Sequence, residues 1–308
     1  MISLLTHIPR LVVVGVDAQN DFCDIPEEYL PPSMPGVPAV RPMLPVTGAH
    51  ADMVRFAAFI RENSGAIEQI YLSMDVHPLH SIYHPSWWEN GIGESPAPFT
   101  LITAADVARG VWRAATRGTQ DISEVQVRAM SDVAGGLMVW PEHCVDGTWG
   151  QAIHADVHAA ASLWSRRARK QIQMWHKGTS AVTHALSAFK AEAPLQDDPA
   201  TQFNEGFIGM LDAHWRRGPV IEVWGGEALS HCVAATFRDR ISRFSGSMSQ
   251  IVLLTDCMSS VPGFEAQGAA FLEDMAARGV TLLESGAFSK VLADLKTWRA
   301  PRPSPLTR

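Results

Sequence analysis

The sequence predicts an α/β protein: a doubly wound, three-layer, Rossmann-like fold around a mostly parallel sheet of about six strands. Three observations carry that expectation. Short β-branched and apolar runs, too continuous to keep a solvent face, alternate with longer stretches of helical periodicity. Alternation of this kind puts helices on both faces of a parallel sheet. Five of the runs also end at residues able to do chemistry, on the carboxyl edge where such sheets bind ligands.

In chain order, residues 11–16 (LVVVGV) form the first strand and deliver Asp17, followed by Ala-Gln-Asn-Asp-Phe22. Residues 24–47 hold seven prolines and Gly36, so they read as an irregular surface excursion. An amphipathic helix over 48–62 places Met53, Phe56, Ala57 and Ile60 on one face. The second strand, 67–74, ends at Asp75-Val-His77-Pro-Leu-His80. From 81 to 136 the periodicity weakens into turns and short helices, which makes this a long insertion; it carries Trp87 and Trp88. A third strand, 137–140, is stopped by Pro141 and followed by His143. After an alanine-rich helix over 152–169, a fourth strand at 171–175 carries His176 and Lys177 at its end.

A Pro/Asp-rich break at 194–199 precedes a helix to about 216 and a fifth strand, 219–224 (PVIEVW), that closes into Gly225-Gly226. Cys232 then falls at the turn into the next helix, where Val233, Thr236 and Phe237 recur at helical spacing. A thiol at a helix start faces unpaired N–H groups and the positive end of the macrodipole, which predicts a lowered pKa and a nucleophile. A sixth strand at 251–255, a helix at 264–278 and a last strand at 280–283 complete the sheet, and 301–308 should be a loose tail. The expected organisation is one domain over 1–300 with insertions at 24–47 and 81–136.

Composition narrows the function. Of 308 residues 46% are hydrophobic and 19% charged, and the formal charge of −7 leaves no basic footprint for nucleic acid. No window approaches a membrane span of ~18 apolar residues. The four cysteines, Cys23, Cys144, Cys232 and Cys257, are far apart with no CxxC pair, so a disulfide framework is not indicated. A cytoplasmic protein acting on a small molecule is expected, with an even-numbered homo-oligomer as the ordinary assembly. Asp75-x-His77 with a remote His143 is a plausible nitrogen and oxygen set for a divalent ion with open positions. His154 and His158, one turn apart, are read as a solvated helix face.

Taken together, Val16-Asp17-Ala-Gln-Asn-Asp-Phe22, Asp75-Val-His77-Pro78, Trp140-Pro-Glu-His143-Cys-Val-Asp-Gly147-Thr148, Lys177-Gly178 and Gly226-Glu-Ala228-Leu-Ser-His-Cys232-Val233 resemble the nicotinamidase and isochorismatase-like cysteine hydrolases, over most of 11–285. The resemblance implies an isochorismatase-like fold and a catalytic triad of Asp17, Lys177 and Cys232. It further implies an oxyanion hole from the backbone N–H groups of Ala228 and Cys232, with a cis peptide between Glu227 and Ala228. It implies a metal site of Asp75, His77 and His143, holding zinc most readily, or iron or manganese, with His80, His84 or water as a further ligand. The implied activity is hydrolysis of nicotinamide or a related small amide through a thioester. The alternatives are an isochorismatase-like hydrolase of another bond and a catalytically silent binding member. Phe22 and Trp140 are the expected aromatic pocket walls. The sequence departs from the family at Leu229-Ser230, where nicotinamidases usually have Thr-Asp. Both insertions should overhang the site, and Trp87 and Trp88 either roof it or serve as core or oligomer contacts.

Overall fold

The computed structural model describes residues 9–297 other than Met34 and Val37; the expected tail at 301–308 lies outside the described residues. Six strands, β1 Arg10–Val16, β2 Ile67–Asp75, β3 Gln173–Lys177, β4 Val220–Gly226, β5 Ile251–Leu254 and β6 Thr281–Leu283, form one sheet. Every neighbouring pair is parallel and the order is β6-β5-β4-β1-β2-β3. That is the Rossmann strand order. The helices in chain order are α1 Ala49–Asn63, α2 Ala104–Ala108, α3 Gln120–Ala134, α4 Ala155–Ala168, α5 Glu205–Arg216, α6 Ala234–Ser242, α7 Glu265–Ala277 and α8 Ser285–Thr297.

Period-two alternation along buried strands builds the layers. Leu11 and Val13 of β1, Ile70 and Leu72 of β2 and Val223 of β4 point to one face, where they meet Met53 and Phe56 of α1, Trp164 of α4 and Phe288 of α8. Val12, Val14, Tyr71 and Trp224 point to the other, against Phe207 of α5, Phe237 of α6 and Phe271 of α7. Both faces are covered, which is why the runs are so uniformly apolar. Across the elbow between β4 and α6, Arg240 donates to Glu222 at 2.6 and 3.2 Å, with both side chains fully buried. Glu222 also accepts from the indoles of Trp215 and Trp224. The network ties the strand to the helix on either side of Cys232.

Two expectations need correction. Residues 137–140 do not join the central sheet; only Leu137–Met138 is extended, paired antiparallel with Leu101–Ile102. The run is too short to reach the sheet and closes the insertion instead. Nor is the insertion shapeless. It folds α2 and α3 and a ladder of Trp88–Glu89 with Arg113–Ala114 over a third apolar cluster. Trp87 and Trp88 sit inside that cluster, donating to Ser123 Oγ and to the Ile82 carbonyl, so they are core and not a roof.

Trp88→Ala should therefore cost about 3–5 kcal/mol, the usual penalty for emptying a buried aromatic site, in urea unfolding; a loss below about 1 kcal/mol would show that the indole does not hold the insertion together. Arg240→Leu leaves Glu222 buried without its cation and should cost a comparable 3–5 kcal/mol, with Arg240→Leu/Glu222→Leu recovering much of it in the same measurement.

Candidate active site

The site forms where the sheet changes direction. From β1 the chain leaves to α1 on one face and from β4 it leaves to α6 on the other, so a crevice opens between the two loops at the carboxyl edge. Asp17 follows β1, in the left-handed region at φ 44°, with its N–H bonded to Ser73 Oγ at 3.1 Å and its carboxylate accepting from that hydroxyl at 2.6 Å. Asp75 and Lys177 are direct partners in the β2–β3 ladder, which sets their side chains next to one another. Gln19 brackets Asp75, donating to its carbonyl and accepting from its N–H, both at 2.7 Å.

Lys177 is the hub. Its Nζ lies 3.0 Å from Asp17 Oδ2, 3.0 Å from Asp75 Oδ2 and 3.6 Å from Cys232 Sγ, and donates to the Ala185 carbonyl at 3.1 Å. An oxygen of each carboxylate and the Cys232 sulfur all lie within 4.8 Å of one another. All four side chains are buried. Burial works against the ammonium, but Asp17, Asp75 and Cys232 hold its pKa well above the usual lysine value. Burial raises Asp17, with Lys177 pulling the other way and Asp75 adding to the rise. Asp75 resists burial because His77 and Lys177 take it well below the usual carboxylate range.

Cys232 corrects a second expectation. It sits in a π-helical turn, Leu229–Val233, that leads into α6, as the elbow reading requires. Yet burial pushes its thiol well above the usual value, and Lys177 only partly offsets this. Burial raises Cys23, Cys144 and Cys257 as well. The resting group is a thiol, and the macrodipole does not decide its charge.

Asp75, His77 and His143 come together as one buried cluster with ligating atoms within 4.8 Å. His143 does not follow a strand of the central sheet. Residues 143–146 are stitched beside His77 instead: His77 N–H donates to the Cys144 carbonyl, Asp146 N–H to that of His77, and Cys144 N–H to Asp21 Oδ2. The donor set fits a divalent ion. His77 Nδ1 donates to the Gly178 carbonyl at 3.2 Å and His143 Nδ1 to that of Pro141 at 2.7 Å, which leaves both Nε2 lone pairs facing Asp75 Oδ2, at 3.0 and 3.9 Å. Carbonyl-fixed imidazoles of this tautomer are the common form of metal ligands. Asp75 Oδ1 has no hydrogen-bond partner. Burial, reinforced by His77, pushes His143 down to about 3, so its ring is neutral.

Of the further ligands considered, His80 is exposed, stacks on Trp87 and approaches Thr116. His84 is buried against both His77 and His143, with Nδ1 on the Leu79 carbonyl and Nε2 unpartnered.

Asp75, His77, His143 and Cys232 line a small cavity of about 30 Å³ whose walls include Phe22, Leu44, Tyr83, Trp140, His184, Ala228 and His231. The expected walls Phe22 and Trp140 are both there, Phe22 edge-on to His143 and Trp140 edge-on to His231. Leu44, Tyr83, His184 and His231 were not singled out from the sequence. Ala228 follows the cis peptide with Glu227. Where the sequence has Leu229-Ser230, Ser230 Oγ accepts from Val261 N–H and bonds His231 Nδ1 at 2.8 Å. His154 is not on a solvated face: it is buried, with Nε2 2.9 Å from His50 Nδ1 and Nδ1 accepting from Asp156 N–H at the start of α4.

No family model matches the chain, and neither does any curated protein. Solved structures do. A nicotinamidase/pyrazinamidase of Acinetobacter baumanii superposes with a TM-score of 0.55 at 20% identity, covering 91% of this chain and 98% of that one. The yeast nicotinamidase Pnc1p gives 0.53 at 16% identity, over 89% and 99%. PnC1 of L. infantum, solved in complex with nicotinate, gives 0.50 at 20% identity, over 92% and 97%.

Gly178 tests the metal centre sharply. At φ 71° a Cβ there would lie 2.5 Å from Asp75 Oδ1 and 2.6 Å from His77 Cε1. Protein purified without chelator should carry a divalent ion by elemental analysis, and His77→Ala and Gly178→Ala should each lower its affinity by at least ~10-fold. Wild-type protein that is metal-free and refuses added zinc and manganese would overturn the assignment. By architecture and strand order alike, then, this chain has the fold of these nicotinamidases.

Proposed function

We propose that the protein is a cysteine amidohydrolase that converts a small primary carboxamide, nicotinamide or a relative of it, to the acid and ammonia. The observation that carries this reading is the buried contact of Cys232 Sγ with Lys177, itself ion-paired to Asp17, at the wall of a small cavity. A thiol in that setting needs a base to take its proton and a cation to hold the charge that results.

Asp17 is the base. Because burial raises its pKa, its carboxylate is a stronger base than an exposed one and returns a proton more slowly to water than to a group beside it. The Cys232 proton passes to Asp17 as sulfur attacks the carboxamide carbon, so the high resting pKa of the thiol is met by transfer during attack and not before it. Lys177 holds the developing thiolate and keeps Asp17 in place. The N–H groups of Ala228 and Cys232 are the donors for the tetrahedral oxyanion; losing one such donor costs about 10²–10³ in rate in other hydrolases. Asp17 then gives its proton to the nitrogen, the C–N bond breaks and ammonia leaves a thioester. Water, deprotonated by the same carboxylate, adds to the thioester, and the C–S bond breaks to release the acid and the thiol.

Asp75, His77 and His143 would hold a divalent ion at the cavity wall, with His84 nearest as a further donor. The ion would supply a Lewis-acidic position for a donor atom of the substrate. Its protein contribution is orientation: Phe22 edge-on to His143 and Tyr83 packed on His77 limit how an amide can lie.

Cys232→Ala should abolish ammonia release from a panel of amides, nicotinamide included, while the unfolding transition stays within about 1 kcal/mol of the parent. Hydrolysis by that variant at even a tenth of the parent rate would sink the nucleophile assignment. Iodoacetamide should modify Cys232 ahead of Cys23, Cys144 and Cys257, because Cys232 alone of the four lines the cavity.

A further inference from the structure

The cavity at Cys232 is small, about 30 Å³, and it is not enclosed. A second, larger space of about 360 Å³ adjoins it. The two share Trp140, His184, Leu186 and His231 as a common wall. Trp140 and His231 close that wall edge to face at 5.4 Å. Whatever part of the substrate does not fit beside the thiol has this outer space to occupy once the two rings part.

The outer space has a charge character that the rest of the chain does not. The protein carries 32 acidic and 25 basic side chains, yet no Asp or Glu lines this pocket and one permanent cation, Arg238, does. Its guanidinium lies over the Phe271 ring, with the carbon 5.2 Å from the centroid, and among the described residues it makes no ion pair. A guanidinium held on a ring face keeps N–H donors for a carboxylate. His184, hydrogen-bonded to Glu192 through Nδ1 at 3.1 Å, belongs to both spaces and is fixed between them.

We propose that the outer pocket is a tail subsite, and that the substrate is a slim amide bearing a carboxylate, its carboxamide at Cys232 and its acid at Arg238. This deepens the amidohydrolase reading and rests on it. Arg238 follows Cys232 by six positions, roughly 9 Å along the axis at 1.5 Å per residue and about 120° away around it, so a flexible chain is the suitable probe. Long side chains on a helix lean toward its N-terminus, which shortens the gap. A chain of five carbon–carbon bonds, at roughly 1.2 Å each when extended, spans about 6 Å. The monoamide of adipic acid has that length, and its methyl ester is a neutral match in shape.

The experiment compares kcat/KM for adipamate and for methyl adipamate in the parent, Arg238→Gln and Arg238→Lys. The parent should prefer the acid by roughly tenfold or more, the scale of a charge-assisted pair. Arg238→Gln should bring that ratio toward one and Arg238→Lys restore part of it. Added salt should shrink the parent's preference, since Arg238 is exposed. A parent ratio of one, or a ratio that Arg238→Gln leaves alone, overturns the proposal. If the parent releases ammonia from no amide at all, the amidohydrolase reading has failed, and calorimetric binding of adipamate decides the subsite separately. Tighter binding to the parent than to Arg238→Gln upholds it, and equal or absent binding overturns it.

Discussion

A single buried ammonium organises this site. Lys177 reaches three strand ends at once, through Asp75 beside it in the sheet, Asp17 after β1 and Cys232 after β4. Removing one partner of a buried ion pair typically costs about 3–5 kcal/mol because the other is left uncompensated, so each of these groups constrains the others. The charges do not balance within the protein, however. Two carboxylates face one ammonium, and two imidazole lone pairs are turned on the same Asp75 oxygen. A divalent ion at Asp75 would offset both the excess negative charge and the lone-pair repulsion. The candidate metal site and Cys232 are thus parts of one electrostatic problem, joined through Asp75.

The geometry of the sheet explains why so much of this was legible beforehand. Strands covered on both faces must be apolar throughout, so residues 11–16, 67–74 and 251–254 announce themselves, and the residue that first breaks each run falls at the carboxyl edge. Asp17 and Asp75 are of that kind; Lys177 ends the half-exposed β3 just after His176, and Cys232 lies six residues past β4. His143 is not of that kind. It reaches the site through backbone bonds between 143–146 and His77 and through Asp21, contacts that no local period encodes. Helix α8 has Phe288, Val291 and Leu292 at helical spacing, yet the sequence reading gives 285–297 no element. The folded insertion is hidden for a different reason: two-residue ladders such as Trp88–Glu89 with Arg113–Ala114 are stabilised by what packs on them and leave no run to read.

The thiol shows the limit of local reasoning about charge. A helix start favours a thiolate by a modest amount, about 0.3–1 kcal/mol when exposed. Full burial opposes it with a larger penalty, and burial depends on loops from every part of the chain. The position of Cys232 was readable, and the direction in which burial moves its pKa was not. In the proposed mechanism the thiol proton passes to Asp17, a transfer that a preformed thiolate would not require.

The insertions supply walls to the site, Leu44 and Tyr83 to the cavity and Leu101 and Met130 to the space beside it. Trp140 stands at the end of the Leu101–Ile102 and Leu137–Met138 ladder, its N–H bonded to the Tyr83 carbonyl at 2.7 Å and its ring edge-on to Phe99. Tyr83 in turn packs between His77 and His184. The apolar cluster around Trp87 and Trp88 holds this framework, so those indoles influence the cavity only through Trp140 and Tyr83. From the earlier excursion, Leu44 enters the wall because its N–H bonds the Asp21 carbonyl, while the Asp21 carboxylate holds Cys144 beside the metal ligands. Added chain thus builds a rigid second wall with its own core. A wall supported in that way can be narrow, and at Trp140 and His231, edge to face at 5.4 Å, it separates the cavity at Cys232 from the larger space beside it.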